Sequence, residues 1–291
     1  MRFKVYKEVN EFYQDTYDIL MRHESQNIIM LGNIIMGVEG KEKAEWRDPA
    51  NWLMTAVFDG KSVKFTALMT PPFNLTLYAT DNEIDSAALD CLIRGLLDYD
   101  IPGVITEKTL AERFAKEYAA KKGLTYKTAM DQRIYELDKV NPEIKTFGSL
   151  RLVEERDMSF FPYWLEAFDA SSIYGNTQMK IPQDASAYLY RISQKKYYIL
   201  EVDGLPVSMA GYTRKLPNAI GIAFVYTPPY YRGRGYATSC VAQLSQMALD
   251  NGYSRCVLYT DLANPTSNSI YQKIGYKPVC DSLMLSFEKG N

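Results

Sequence analysis

The sequence predicts an α+β fold in which a mixed sheet is flanked by helices, with two such units in tandem. In both halves of the chain, short apolar runs with strand character alternate with longer amphipathic stretches. Each half also contains two β-rich runs around an Asp-Gly pair, at 59–60 and at 203–204, which is a hairpin signal. The length of 291 residues suits two domains better than one.

The second half repeats these signals in a clear order. The expected elements are a strand at 150–155, helices at 158–168 and 184–194 separated by a looser segment at 175–183, the hairpin strands 197–202 and 206–213, a strand at 219–227, a helix from 237, a strand at 255–260, a helix opened by Asn264-Pro265 and a closing strand at 278–288. Pro228 and Pro229 end the strand at 219–227.

The first half shows a comparable but weaker order. We expect a helix over 11–37, hairpin strands at 52–58 and 62–69, a strand at 74–80, a helix at 83–99, a strand at 101–106 and a helix at 107–123. The shared order suggests an internal repeat. The alternative, that many α/β chains show such an order by chance, stays open.

A boundary is expected within residues 139–149, which contain Pro, Gly and Ser. The predicted domains are therefore an N-terminal domain at 1–145 and a C-terminal domain at 150–291.

Composition excludes several classes of protein. The net charge of −2 leaves no positive excess for binding nucleic acid, so we expect no nucleic-acid partner. No apolar run approaches the roughly 20 residues of a membrane span. The four cysteines include no C-x-x-C pair, which disfavours a zinc site or a disulfide framework. We expect a cytoplasmic protein with no membrane partner and no metal.

The segment "YYRGRGYATS" (230–239) has the features of a phosphate cradle. It follows a strand and opens an amphipathic helix, whose first N–H groups lack intrahelical partners. Glycines admit a phosphate close to the main chain, and arginines add charge-assisted hydrogen bonds. The segment contains no G-K-[ST], and Thr238 stands where a dinucleotide fingerprint needs Gly or Ala, so neither of those nucleotide-binding loops fits.

A third pattern fits both this segment and a second one downstream. "VYTPPYYRGRGYAT" resembles the acetyl-CoA-binding segment of the GNAT N-acetyltransferase superfamily, whose pattern Q/R-x-x-G-x-G/A is filled by Arg232, Gly235 and Ala237. "DLANPTSNSIYQKIGY" (261–276) resembles the same family's second signature. The resemblance covers roughly 150–291. The similar order of elements in the first half suggests a tandem protein whose N-terminal half is a degenerate GNAT-like unit.

The resemblance implies an acetyl-CoA-dependent N-acetyltransferase that acts on an amine of a small molecule or peptide by direct attack. It implies that the strand at 219–227 is splayed from its neighbour and exposes backbone groups to the acyl donor. The implied cosubstrate-binding residues are Val225, Tyr226, Thr227, Arg232, Gly233, Arg234, Gly235, Tyr236, Ala237, Asn264 and Asn268. Asn264 before Pro265 is also a good helix cap, a role compatible with a cosubstrate contact.

Tyr271 stands where the family commonly places the general acid for the CoA sulfur. It shares a helical face with Asn264 and Asn268, so we expect it not to be simply another core aromatic. No base can be assigned, because 219–227 contains no carboxylate. Glu201 and an ordered water relay remain the alternatives. His23, the one histidine, is expected on the surface or in packing.

The first half departs from the family pattern where a phosphate would bind. After its strand at 74–80 it carries Asp81, Glu83 and Asp85, which would repel a diphosphate. We therefore expect this half to have lost CoA binding and to serve a structural role. Simple placement of acidic residues at a helix N-terminus explains the same residues.

Two rival functions and several details stay open. A non-catalytic acetyl-CoA-binding sensor or scaffold is the alternative from another class, and a longer acyl-CoA is an alternative donor. The sequence does not identify the acceptor amine, and it leaves a homodimer open.

Overall fold

The computed structural model describes residues 1–40, 48–171, 181–182 and 184–290. The chain divides into two compact units, one formed by Met1–Ile134 with the C-terminal segment from Val279, the other by Tyr135–Pro278. Part of the expected linker at 175–183, namely residues 175–180 and 183, lies outside the described residues.

The described strands are β1 (Arg2–Tyr6), β2 (Leu53–Asp59), β3 (Ser62–Met69), β4 (Leu75–Ala79), β5 (Gly103–Glu107), β6 (Leu124–Leu137), β7 (Ser149–Leu152), β8 (Tyr197–Val202), β9 (Leu205–Lys215), β10 (Ala219–Tyr226), β11 (Arg255–Asp261) and β12 (Lys277–Lys289). The described α-helices are α1 (Val9–Met21), α2 (Ile28–Glu39), α3 (Ser86–Leu96), α4 (Lys108–Lys122), α5 (Phe161–Ser171), α6 (Ala185–Ser193), α7 (Tyr236–Asp250) and α8 (Pro265–Ile274).

The first unit is built on strands in the order β1-β2-β3-β4-β5-β12-β6. Strands β4 and β5 are parallel, while β1–β2, β2–β3, β3–β4 and β5–β12 are antiparallel. One hydrophobic cluster joins this sheet to α3 and α4 and includes Val57, Phe65, Leu92 and Phe114. The unit is a mixed sheet covered by amphipathic helices, as predicted.

The second unit has the strand order β6-β11-β10-β9-β8-β7, to which β6 contributes its last residues from Tyr135. Strands β10 and β11 are parallel, and β10–β9, β9–β8 and β8–β7 are antiparallel. Neighbouring residues of β8 enter different clusters: Leu200 packs with α7 and α8, and Ile199 packs with α5 and α6. Because side chains alternate along a strand, the two pairs of helices cover opposite faces of this sheet.

The local predictions agree well with these elements. Both hairpins form around the Asp-Gly pairs, with Asp59 paired to Ser62 and Val202 paired to Leu205. The mixed sheets flanked by helices confirm the predicted fold class.

Three features differ from the sequence prediction. The helix expected over 11–37 is two helices, α1 and α2, joined by residues 22–27, where the Asn27 side chain donates to the Leu20 carbonyl. Strands β1 and β6 were not expected. The closing strand, β12, is counted with the first unit rather than with 150–291, because Ser282–Ser286 pair with Gly103–Glu107 of β5.

Candidate functional site

The second unit has an opening between its two parallel strands. β10 pairs with β11 only at Ala219, Ile220 and Gly221, although the two strands continue to Tyr226 and Asp261. Beyond Gly221 the two strands are no longer paired. We call the gap between the second half of β10 and the second half of β11 the cleft. This is the splay that the sequence resemblance implies.

A β-bulge shapes the same half of β10. Ala223 pairs with Gly211 and Tyr226 pairs with Met209, so β10 has one more residue than β9 across this interval. Phe224, inside the bulge, has a left-handed backbone with φ of 59°. Such a conformation costs a non-glycine residue about 1–2 kcal/mol, and packing of the Phe224 ring offsets part of that cost.

Ring contacts hold Phe224 in place. Its ring centroid lies 4.9 Å from that of Tyr197 and 5.5 Å from that of Phe168. Phe224 and Tyr226 pack with the cluster of α5 and α6, whereas Val225 between them packs with the cluster of α7 and α8. The bulge was not predicted, although a glycine inside a strand, Gly211, is a sequence signal for one.

The Arg-Gly loop follows β10 and ends in an open helix N-terminus. Residues 232–235 are exposed, and Gly233 and Gly235 have φ of 75° and 79°, values that favour glycine. Gly235 is the N-cap of α7 and supplies no side-chain acceptor to the first-turn N–H groups. Those groups, which include the N–H of Tyr236 and Ala237, carry partial positive charge beside Arg232 and Arg234. The loop has the chemistry of an anion site.

Arg232 contacts the end of β10 as well as bordering the loop. Its Nε donates to the carbonyl oxygen of Thr227 over 3.0 Å. Its side chain is otherwise exposed, which leaves the terminal guanidinium nitrogens available to an anion.

At the comparable place in the first unit, the start of α3, an acidic side chain caps the helix. Asp85 is the N-cap of α3, and its carboxylate accepts from the N–H of Ala87 and Ala88 over 2.9 and 3.0 Å. Asp81 forms an ion pair with Arg22 over 2.8 Å. The carboxylate of Asp85 therefore already pairs with N–H groups at the start of α3, which the open N-terminus of α7 leaves without a side-chain acceptor.

The side chains of the two asparagines of the second signature both make hydrogen bonds to the main chain. Asn264 is the N-cap of α8, and its side chain accepts from Ser267 N–H over 3.1 Å. The Asn268 amide donates to the carbonyls of Asp261 and Asn264 over 2.9 and 2.8 Å. Asn268 therefore ties α8 to the end of β11, which borders the cleft.

Tyr271 is buried in the cluster of α7 and α8, to which Val225 also packs. Its ring meets that of Tyr276 edge to face at 5.9 Å. Burial raises the pKa of Tyr271 to about 12, so its hydroxyl is protonated throughout the neutral range. In the described part of the chain no hydrogen bond occupies that hydroxyl. Its ring is a core aromatic, and its hydroxyl is free to donate.

The structure also locates the two residues considered as bases. The Glu201 carboxylate is paired with Arg151 over 2.8 Å. His23 lies in the first unit, where its Nδ1 is 2.7 Å from the buried Tyr78 hydroxyl, consistent with a packing role. Neither side chain is free at the cleft.

The described residues hold neither a candidate metal centre nor a candidate membrane span. They contain no group of three or more His, Cys, Asp or Glu side chains that could hold a metal ion. Among them, no helix has the length and hydropathy to cross a membrane.

Comparison with known protein families matches part of the second unit. The model of the acetyltransferase (GNAT) family matches residues 158–276. No curated protein sequence matches the chain.

Solved structures resemble the chain over nearly its whole length. A Drosophila protein is 10% identical with a TM-score of 0.65, and the match covers 99% of each chain. A GCN5-related N-acetyltransferase from Sphaerobacter thermophilus is 13% identical with a TM-score of 0.58, covering 97% of this chain and 94% of that one. A tandem GNAT protein from the clavulanic acid biosynthesis pathway is 10% identical with a TM-score of 0.55, covering 100% and 99%. At these identities the likeness shows the fold, and it extends through the first unit.

Proposed function

We propose that the protein is an acetyl-CoA-dependent N-acetyltransferase acting on an amine of a small molecule or peptide, a proposal that starts from the match of residues 158–276 to the acetyltransferase (GNAT) family. One observation carries the proposal. The open N-terminus of α7, with two exposed arginines and two left-handed glycines, stands at the end of the strand that borders the cleft. The first unit lacks this combination.

The loop residues would hold the diphosphate of the donor. Arg232 and Arg234 supply charge, Gly233 and Gly235 allow close approach, and the N–H groups of Tyr236 and Ala237 point out of the helix. A Cβ added at Gly233 would meet no atom within 4 Å, so the loop leaves room on its outer side. These residues fit a diphosphate group.

The splayed half of β10 would hold the rest of the donor. An extended pantetheine arm can pair with backbone groups of Val225, Tyr226 and Thr227 in place of the missing β11 partners. A backbone N–H there would act as the donor to the thioester carbonyl oxygen. Asn264 keeps its amide N–H₂ for a contact with the donor, while Asn268 acts chiefly by fixing the start of α8.

The reaction requires one bond to form and one to break. A neutral amine attacks the thioester carbonyl carbon, a C–N bond forms and the C–S bond breaks. The proton that the amine nitrogen loses after the attack balances the one that the departing CoA thiolate takes up. An alkyl ammonium has a pKa near 10.4, so the amine must first lose a proton. With Glu201 held by Arg151, we assign that step to ordered water.

We propose that Tyr271 assists departure of the CoA sulfur from the general-acid position that the sequence resemblance implies. Its raised pKa, about 12, makes it a weaker acid than a thiol of pKa about 8.5. Its contribution is therefore a hydrogen bond to the sulfur that strengthens as negative charge develops there.

The second candidate is a non-catalytic acetyl-CoA-binding module. The engagement of Glu201 and the lack of a carboxylate on β10 favour it. Release of free thiol separates the two candidates, because only an acetyltransferase consumes acetyl-CoA when an amine is added.

The decisive experiment has two parts. Titration calorimetry with acetyl-CoA should give one site per chain in the wild type and none in the Arg232→Ala, Gly235→Asp double variant. Gly252→Asp is the matched control, because Gly252 follows the other end of α7 and has a positive φ, as Gly235 does. A Cβ added at Gly252 would meet no atom within 4 Å. Thiol release is then followed over a panel of amines. Retained affinity in the double variant would refute the loop assignment, and binding without turnover on any amine would favour the second candidate.

A further inference from the structure

We infer that Ser208 and Arg232 are positioning residues that together fix Tyr226 and Thr227 at the end of β10, and that Arg232 thereby links the diphosphate loop to the strand that receives the thioester. The inference rests on the proposed function and adds two positioning roles to it.

The end of β10 receives little support from regular strand pairing. On one side, its pairing with β11 stops at Gly221. On the other, the bulge interrupts its register with β9 between Ala223 and Tyr226. Pro228 then follows directly and has no N–H to contribute. The Tyr226–Met209 pair is the last one in the register with β9, so Thr227 depends on other contacts to hold it in one geometry.

Ser208 supplies the first support, from β9. Its side chain is fully buried, and its Oγ lies 3.1 Å from the Tyr226 carbonyl oxygen and 2.8 Å from the Thr227 Oγ1. A carbonyl oxygen only accepts, so the single hydroxyl hydrogen of Ser208 goes to Tyr226. The Thr227 hydroxyl must then donate to Ser208. The directions of both bonds follow from this count.

Arg232 supplies the second support, from the loop. Its Nε donates to the Thr227 carbonyl over 3.0 Å. Three polar atoms at the strand end, the Tyr226 carbonyl, the Thr227 hydroxyl and the Thr227 carbonyl, are thus held by two side chains. The planar guanidinium keeps two further nitrogens for an anion, so one residue serves both the loop and the strand.

The Thr227 hydroxyl provides the cleanest test, because valine has nearly the same shape and serine keeps the hydroxyl. Thr227→Val should lower kcat about tenfold, the size expected for one lost hydrogen bond, and change the Kd of acetyl-CoA less than twofold. Thr227→Ser should restore kcat to within about twofold of the wild type. Ser208→Ala and Thr227→Val together should lower kcat no more than Ser208→Ala alone, since that single variant has already lost the Ser208–Thr227 bond.

Arg232→Lys separates the effect of the Nε bond to the Thr227 carbonyl from the effect of the positive charge. Lysine keeps the positive charge but has no Nε–H in that position, so kcat should fall about tenfold together with a weaker Kd for CoA. Amide exchange in the segment 223–228 should rise in Thr227→Val and in Arg232→Lys, a readout that does not depend on turnover.

The outcomes distinguish a failure of the proposed function from a failure of the positioning roles of Ser208 and Arg232. If the wild type neither binds CoA nor releases thiol, the proposed function is wrong, and exchange at 223–228 alone then tests the positioning roles. If the wild type turns over while Thr227→Val and Arg232→Lys keep its kcat and its exchange rates, the positioning inference is overturned. A Ser208→Ala variant that fails to fold leaves both of these tests in place.

Discussion

The Arg151 guanidinium joins Glu201 to a second acid in the second unit. One nitrogen lies 2.8 Å from the Glu201 carboxylate, and two bonds of 2.7 and 2.8 Å reach the nearly buried carboxylate of Asp157. Arg151 also donates to the Leu152 carbonyl over 3.0 Å. Glu201 is therefore part of an ion-pair cluster at the junction of β7 and β8.

Glu201→Gln should leave turnover within about threefold of the wild type, with the same pH dependence, because its carboxylate is already paired with Arg151. The free energy of unfolding should fall by about 1 kcal/mol through loss of one partly exposed ion pair. Steady-state rates from pH 6 to 9 and urea denaturation measure both. The control is Glu154→Gln, which breaks an exposed pair with Arg156. Loss of the acidic limb of the pH profile in Glu201→Gln would make Glu201 the base after all.

The free energy of unfolding should depend on pH through the carboxyl group of Asp157. Burial alone would raise the pKa of Asp157, but hydrogen bonds from Arg151 and the Glu154 N–H outweigh it and hold the pKa below its ordinary value. This stabilisation is complete above the unfolded pKa, about 3.9, and is lost as pH falls through the lower folded value. Asp157→Asn should cost about 3 kcal/mol at pH 7. Urea denaturation at pH 7, 5, 4 and 3 should show that difference shrinking with acidity, and a constant difference would contradict the assignment.

Tyr271→Phe should lower kcat tenfold to a hundredfold without weakening acetyl-CoA binding, because only the hydroxyl is removed. Since the Tyr271 pKa is about 12, any loss of activity between pH 8 and 10 should persist unchanged in the variant. Stopped assays of thiol release across pH provide the measurement. Tyr276→Phe is the control, because the Tyr276 hydroxyl is occupied by Ser245 over 2.8 Å. Equal losses in both variants would assign Tyr271 to packing.

Asp85→Gly should not restore a second donor site in the first unit. The change removes the cap of α3 and should lower the free energy of unfolding by up to about 1 kcal/mol. Asp81 and Glu83 remain beside the opened helix end and still repel a diphosphate. Titration with acetyl-CoA should therefore stay at one site per chain. Two sites in the variant would show that Asp85 alone prevents binding.

Much of the candidate site was accessible from sequence because its signals are local. Gly233 and Gly235 identify positions that need a positive φ, and Asn264 before Pro265 identifies a helix start. The predicted loop accordingly lies at the N-terminus of α7. Glu201 shows the limit of such reasoning, since its partner Arg151 lies on another strand and no local pattern joins the two.

The sequence alone determined most of the chain order of elements, the two Asp-Gly hairpins, the helix N-terminus after the Arg-Gly loop and the acids at the comparable place in the first half. Each of these depends on residues close together in the chain. Strands β1 and β6 and the break between α1 and α2 were not among them. Tertiary structure decided the pairing of β12 with β5, the bulge at Phe224, the burial of Tyr271 and the hold of Ser208 on Thr227. These depend on which distant segments meet, and hydrogen bonds and packing between such segments leave no mark in either segment by itself.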